Sequence, residues 1–483
     1  MARILPYEYA TLPDRSIRLL RLRPGPPGSP LVCSLHDECL DGPNIQYKAV
    51  SYCWGDEHPP CQLLVDNKGE TRYLPIRPNL AAALNQLRTN TLACCDLSCV
   101  SNAHDDNCHP GEDSQFASPV KLWIDAVCIN QASIDERSRQ VALMHEVYTR
   151  AMAVLAWLGP SNQFTTHALR MVHIFARLAE SPSCETQIDT GRQHHGEGEK
   201  LGVDTASARR QLGINPAFIS SWIALGHFFA DNHWWERMWI VQEVVLARRV
   251  IMVAGRFGTT WTRFVQASDV FHQDNIYEQL CARQRYQLGI LAAPMLPVMS
   301  LLGWTFRYKA TNPRDKVYGI FGILKGLGVT LPMQPRDDIS ICEVYMRTVK
   351  LIYDQTRDLS FIEAVENNLV VNCERRFDLP SWTPDFAAPN NLLPISWARL
   401  GDTAALYRES WAYHWSGGER DHCLFDFAAK TITVRGFRID TIGFTQVAAC
   451  VGDEVCWLIG LGFPCLLRRD GGRWRYIGLW LVT

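Results

Sequence analysis

The segment Leu122–Trp157, LWIDAVCINQASIDERSRQVALMHEVYTRAMAVLAW, decides the fold. Leu122–Val127 is an apolar run carrying one acid, Asp125, and reads as a buried strand. Cys128–Gln131 is a turn-like exit. Ser133–Glu136 (SIDE) has the form of a capping box, in which the Ser oxygen takes an orphan helix N–H and the Glu reaches back to the cap amide. Val141, Met144, Val147, Tyr148 and Ala151 then recur at three- and four-residue steps, one apolar face of a helix. Ala153–Leu158 is a second apolar run, stopped by Gly159-Pro160. Strand, crossover helix and strand make a βαβ unit whose strands run parallel. Ligands of such sheets gather beyond the carboxyl ends of the strands, which places a candidate site at Asp125–Gln131.

Working outward, Tyr47–Trp54 (YKAVSYCW) is another strand, closed by Gly55, Asp56 and Glu57. Glycine there lets the turn take positive φ, and the acids stand where a strand end faces a ligand or, equally, solvent. Ahead of it, residues 1–46 read as short strands, Ile17–Leu22 and Leu31–Leu35, around a Pro/Gly turn. After it, Pro78-Asn79 opens a helix with Leu80, Leu84 and Leu87 on one face.

Two stretches differ in kind. Residues 90–119 are polar and hold Cys94, Cys95, Cys99, His104, Cys108 and His109. Thiolates and imidazoles are the usual zinc ligands, yet these spacings match no familiar zinc module, and the stretch reads as a mobile insertion with no metal. Residues 181–213, rich in Gly, Ser and charge, read as a disordered insertion.

Beyond the Thr165–Leu178 and Trp222–Ala230 helices comes Asp231–Arg249, DNHWWERMWIVQEVVLARR. Trp239 and Glu243 stand four residues apart, on one face of an otherwise apolar helix. A carboxylate in such a helix needs a partner or a function. An arginine such as Arg137 or Arg237 would make it structural; a ligand would make it a site. Val250–Ala254 is then a further core strand, ended by Gly255.

Past Gly255 the pattern turns helical: Trp261–Phe271, an uncharged run 288–306, a helix start at Asn312–Asp315, and Glu343–Tyr353. Pro294 and Pro297 interrupt the uncharged run, which reads as buried helices rather than a membrane span. Asp378–Asp385 (DLPSWTPD) is an extended, proline-pinned crossing, and from about Leu424 short strands follow to the end.

At 483 residues the chain is too long for one core. The net charge of −2, with no sustained Lys/Arg stripe, argues against nucleic acid as a partner. Seventeen cysteines without a C-x-x-C, behind an N-terminus lacking the layout of a signal peptide, read as reduced thiols of a cytoplasmic protein. There is no GxxxxGK[ST], no strand-linked GxGxxG, no HExxH and no GxSxG, so the common nucleotide-hydrolase, metalloprotease and α/β-hydrolase readings lack their signatures.

Several of these segments, in this order and spacing, resemble the fungal heterokaryon incompatibility (HET) domain. They are Tyr47–Asp56 (YKAVSYCWGD), Leu122–Gln131 (LWIDAVCINQ), the Glu136, Gln140, Met144 and Tyr148 helix, Trp157–Gly159 and Arg237–Glu243 (RMWIVQE). Asn312–Tyr318 (NPRDKVY), Leu379–Asp385 (LPSWTPD) and the Gly452–Arg468 region resemble the downstream part of such proteins. With the patterning, the resemblance divides the chain into N-terminal strands packing on the domain (1–46), a HET domain (47–255, with insertions 90–119 and 181–213), a helical region (256–390) and a β-rich C-terminal module (391–483). It implies an α/β fold with a TIR/flavodoxin-like parallel sheet flanked by helices.

The same resemblance implies a role in fungal non-self recognition ending in programmed cell death, triggered by an incompatibility partner protein of unknown identity. HET domains are distantly similar to TIR domains, some of which cleave NAD with a glutamate four residues after a tryptophan. Glu243 corresponds to that catalytic residue and Trp239 to the tryptophan before it, the turn of Trp54 and Asp56 corresponds to a TIR ligand loop, and Asp125, at its own strand end, is a further candidate ligand contact. NAD is then a substrate, with no bound cofactor required. The alternative is a non-enzymatic signalling module that works by HET–HET self-assembly, with the same residues serving as core and interface.

Overall fold

The computed structural model describes residues 4–26, 28–55, 61–67, 69–88, 93–94, 121–179, 219–271, 302, 305, 308–326, 329, 331, 333–356, 359–362, 365, 377–388, 423–426, 431–434, 436–438, 443–444, 450–458, 465–479 and 481–482. Asp56, residues 181–213, most of 288–306, and the 90–119 stretch except 93–94 lie outside the described residues. The chain separates into two compact units, Met1–Pro294 and Met295–Thr483.

The first unit is built on an eleven-stranded mixed sheet. Its strands are β1 (Leu5–Pro6), β2 (Ser16–Leu22), β3 (Leu31–Cys39), β4 (Tyr47–Tyr52), β5 (Cys61–Asn67), β6 (Glu70–Ile76), β7 (Ala93–Cys94), β8 (Lys121–Trp123), β9 (Ala153–Trp157), β10 (Val250–Ala254) and β11 (Phe257–Thr260). They lie in the order β1-β6-β5-β3-β2-β8-β4-β9-β10-β11-β7. The centre is parallel: β4 pairs with β8 on one side and β9 on the other, and β9 pairs with β10. Numbered along the chain, these four strands run 2-1-3-4, the flavodoxin-like winding. Every residue of β4, β9 and β10 is buried, which explains why they read as unbroken apolar runs rather than alternating ones.

Seven helices accompany the sheet: α1 (Pro78–Leu87), α2 (Asp125–Cys128), α3 (Ile134–Arg150), α4 (Thr165–Ala179), α5 (Ile219–Ala230), α6 (Trp239–Val245) and α7 (Trp261–Phe271), counted among the described residues. Helix α4 packs on α5 and α7, and α3 on α6. Tryptophan fills much of this interior. Trp235 is 1% exposed, with ring centroids 4.9 Å from Phe229 and 5.7 Å from Phe264.

The central segment differs from its sequence reading in two ways. The strand ends at Trp123 rather than Val127, because β8 has only three partners on β4, and Asp125–Cys128 closes into one helical turn. The Cys128 amide donates to the Ile124 carbonyl at 2.7 Å. The capping box is half made. Ser133 Oγ accepts from the Glu136 amide at 3.3 Å, but the Glu136 carboxylate turns away from the cap. It binds the Arg18 guanidinium and the Asn130 amide (2.8 Å) instead. A buried guanidinium is a stronger partner than the cap amide. On α3 the buried face carries Glu136 and Gln140 beside Met144, Val147 and Tyr148, while Val141 is only half-buried.

The N-terminal strands belong to the same sheet. Strand β2 lies between β3 and β8, antiparallel to both. Its Arg18, 1% exposed, reaches Glu136 and the carbonyls of Ala10 and Cys128.

In the second unit, α8 (Asp315–Gly326) starts as the sequence predicts: Asn312 accepts from the Arg314 amide at 3.1 Å, and Val317, Ile320, Phe321 and Leu324 are buried. Helix α9 (Ile341–Thr356) is the shared support of two motif segments. Tyr345 donates its hydroxyl to the Pro313 carbonyl at 2.9 Å and packs edge-on against Phe386, centroids 5.0 Å apart. The remaining strands are β12 (Cys423–Asp426), β13 (Thr431–Val434), β14 (Gly436–Arg438), β15 (Gly443–Phe444), β16 (Glu454–Leu458), β17 (Cys465–Asp470), β18 (Arg473–Leu479) and β19 (Leu481–Val482). They form an antiparallel sheet β14-β16-β17-β18 and the pairs β12–β13 and β15–β19.

Among the described residues, no helix is long and apolar enough to cross a membrane.

Candidate functional site

The carboxyl ends of the four parallel strands share one edge of the sheet, and the chain leaves that edge at Cys53, Ile124, Leu158 and Gly255. Gly255 turns there with φ +53°, its amide donating to the Gly159 carbonyl at 2.8 Å. Asn79, the second residue of α1, stitches two of the exits. Its amide donates to the Cys53 carbonyl at 2.7 Å, and its oxygen accepts from Trp157 Nε1 at 2.9 Å. Asn232 does the same for a third, donating to the Leu158 carbonyl at 2.7 Å while it caps the turn that holds Trp234 and Trp235.

Trp54 and Asp125 meet at this edge. Trp54 Nε1 donates to Asp125 Oδ2 at 2.9 Å, and Asp125 Oδ1 accepts from the Ala126 amide at 2.7 Å. The Asp125 carbonyl takes a hydrogen bond from Gln131 Nε2 at 2.9 Å, fixing the loop below it. On the outer side, the Arg77 guanidinium lies over the Trp54 ring, 5.6 Å from its centroid. Trp54, Arg77 and Asp125 are all half-buried.

Behind them stands Glu243 on α6, 1% exposed. The hydroxyls of Ser51 on β4 and Tyr148 on α3 favour the charged form of its carboxyl, and Ser51 Oγ is itself held by Trp234 Nε1 at 2.8 Å. Glu243 Oε2 has no hydrogen-bond partner. The charge of Arg237 acts on both acids, and its guanidinium donates to the Tyr52 carbonyl at the end of β4.

Burial pushes the Glu243 carboxyl above its ordinary range; the Arg237 charge pulls the other way, and the neighbouring Asp125 adds to the rise. Asp125 is raised by the same burial, opposed by Arg237 and by the Trp54 hydrogen bond. Burial works against the charge of Arg237, but Glu243 and Asp125 hold it protonated. Tyr148 and Tyr52 are pushed far above their usual values by burial, so both are phenols at neutral pH.

Of the residues the sequence singled out, Trp54, Asp125 and Glu243 come together from three separate segments. Trp239 is half-buried at the first residue of α6, one turn before Glu243, and Asp56 lies outside the described residues. Of the two arginines suggested for Glu243, Arg237 acts on it through its charge, and Arg137 donates to the Gln131 carbonyl. Sequence reasoning missed Ser51, Tyr52 and Tyr148 as neighbours of the acids, and Asn79 as the stitch. The signal for Ser51 and Tyr148 was a hydroxyl within an otherwise apolar buried pattern.

Chemically, the cluster offers a half-exposed carboxyl beside an indole and a second carboxyl in a dry site next to hydroxyl donors. Such a pair suits stabilising a positive charge that develops on a bound molecule. Among the described residues, no group of three His, Cys, Asp or Glu side chains is arranged to hold a metal ion.

A family model described as Heterokaryon incompatibility protein (HET) matches residues 47–243, from the first residue of β4 to Glu243. Heterokaryon incompatibility protein 6, OR allele, of Neurospora crassa is 24% identical over 495 residues, covering 90% of this chain and 66% of that protein. The chain therefore spans about two thirds of the length of this curated relative. No solved structure matches the chain.

Proposed function

On the premise that this chain is a HET-domain protein, we propose that it acts in heterokaryon incompatibility as a cell-death effector, and that its Asp125–Arg237–Glu243 cluster cleaves NAD. In this reading, the bond between nicotinamide and ribose C1′ breaks, nicotinamide leaves with the bonding electron pair, and water adds to C1′ with loss of a proton. Positive charge builds on the ribose as the bond lengthens, as in glycosidic cleavage. Glu243 stabilises that charge and takes a ribose hydroxyl on its free Oε2, Asp125 and Trp54 contact the ligand from the rim, and Trp239 stacks beside it. Arg237 keeps the two acids from repelling each other before substrate arrives.

The observation that carries this reading is the convergence of Trp54, Asp125 and Glu243 at the carboxyl edge of a 2-1-3-4 parallel sheet. One observation favours a second reading. Glu243 is 1% exposed, so a substrate reaches it only in an arrangement that uncovers it, such as a self-assembled state. If Glu243 stays covered, the domain signals by assembly alone and the cluster is structural.

The test is NAD consumption by the full-length protein at high concentration, beside Glu243→Gln and Asp125→Asn. Turnover that disappears in a folded Glu243→Gln supports cleavage. No turnover from folded protein shown by light scattering to be assembled supports the signalling module.

A further inference from the structure

Strands β16 and β17 pair antiparallel, with Glu454 opposite Leu467, Val455 opposite Leu466 and Cys456 opposite Cys465. Directly opposed residues on neighbouring antiparallel strands point to the same face, with Cα atoms about 4.5–5.5 Å apart. That interval falls inside the range of about 4.4–6.8 Å that a disulfide spans. Both sulfurs are thiols in this structure, and they differ in access: Cys465 is fully buried, whereas Cys456 is half-exposed.

We propose that Cys456 and Cys465 form a reversible oxidation site, in which a peroxide converts the cross-strand thiol pair to a disulfide. The Cys456 thiolate attacks one peroxide oxygen, the O–O bond breaks, and Cys456 becomes a sulfenic acid as the first water leaves. The Cys465 sulfur then attacks the Cys456 sulfur, the S–S bond forms, and the S–O bond breaks to release the second water. Two thiols and one hydrogen peroxide give one disulfide and two waters, so the two electrons lost by sulfur are those gained by the peroxide. A dithiol reductant reverses the reaction by exchange at the exposed Cys456 sulfur.

The order of events follows from burial. Desolvation pushes the Cys465 thiol far up, so it stays protonated and shielded from oxidant while Cys456 meets it first. The strands are already in register, so the bond forms with little movement of the backbone. Cys450 is the nearest exposed competitor along the chain, but it precedes β16, and its amide is tied to Asp453 Oδ2 at 2.8 Å.

The experiment treats reduced, full-length protein with rising hydrogen peroxide, blocks free thiols, digests without reductant and maps the peptides by mass. The expected first product from Cys456 is a linked pair with Cys465, lighter by two hydrogens and restored by dithiothreitol. C456S should leave Cys465 free at the same peroxide concentration. C465A should leave Cys456 as a sulfenic acid trapped by dimedone, a readout independent of whether the disulfide stabilises the fold. Pairing of Cys456 with Cys450 or any other cysteine, resistance of Cys456 to peroxide, or a linked product seen only after denaturation overturns the proposal.

Discussion

Replacing Glu136 by leucine tests whether the N-terminal strands and the helix α3 are one structural body. The Arg18 side chain is 1% exposed and that of Glu136 6%. Arg18 gives its NH1 to Glu136 and, at 3.2 Å, to the Cys128 carbonyl; its NH2 goes to Ala10, and its charge lies 4.8 Å from the Tyr9 ring centroid. In Glu136→Leu the guanidinium keeps its carbonyl contacts and the exposed Asp37 carboxylate, 3.7 Å from its Nε, but loses its buried counter-charge, and the Asn130 amide loses an acceptor at 2.8 Å. Breaking a buried pair from one side costs about 3–5 kcal/mol, and the lower end applies here because the charge left away from water keeps only the solvent-screened Asp37 beside it. For a unit of this size, that is a fall of on the order of 10 °C in Tm. Urea unfolding of the full chain, followed by tryptophan emission, measures it. The control is the double variant Arg18→Met/Glu136→Leu, which removes both charges and should recover to within about 1–2 kcal/mol of the parent. A loss below about 1 kcal/mol in the single variant, or a double variant no better than the single, refutes the claim that this pair is dry and mutually dependent.

Two further perturbations probe the site and its frame. Burial holds the folded-state pKa of Glu243 above its ordinary value of 4.5, so the folded protein binds more protons than the unfolded chain across that interval, and stability falls as pH rises from the unfolded value through the folded one. Glu243→Gln cannot lose a proton, so its stability should decline less than that of the parent as pH rises above about 4.5; equal slopes in urea titrations would sink this account. At Gly255, a Cβ would stand 2.5 Å from both the Ser161 amide nitrogen and its Cβ, at φ +53°. Gly255→Ala should therefore cost about 2–3 kcal/mol, against about 1 kcal/mol for Gly69→Ala, where φ is also positive but the space is open. Comparable Tm values for the two variants would contradict the clash.

The site was partly legible before folding because its residue types were out of place. Glu243 is a charged residue within a run of Ile, Val and Met, and Asp125 follows an apolar strand, so both announced a partner or a ligand. Their meeting was not legible. Asp125, Arg237 and Glu243 are more than a hundred positions apart at the extremes of the motif, and only the neighbouring of β8, β4 and β9 brings them to one edge. The β5–β6 hairpin went unread for a different reason. Gln62, Asp66, Glu70 and Arg72 interrupt its apolar alternation at a sheet arm where one face meets solvent.

What the sequence determined by itself was local: the buried runs of β4, β9 and β10, the start of α3 at Ser133 and the start of α8 after Asn312. Period and capping chemistry act within a few residues and survive removal from context. What only the tertiary structure decided was pairing. The Glu136 carboxylate abandoned the cap amide for Arg18, more than a hundred residues earlier, and β2 took its place between β3 and β8. Glu243 became a covered carboxyl under the influence of the Arg237 charge rather than a solvated one. The reason is that strand order and counter-charges are settled by desolvation in the assembled core, where a buried charge takes the strongest partner within reach, and that distance exists only once the chain has folded.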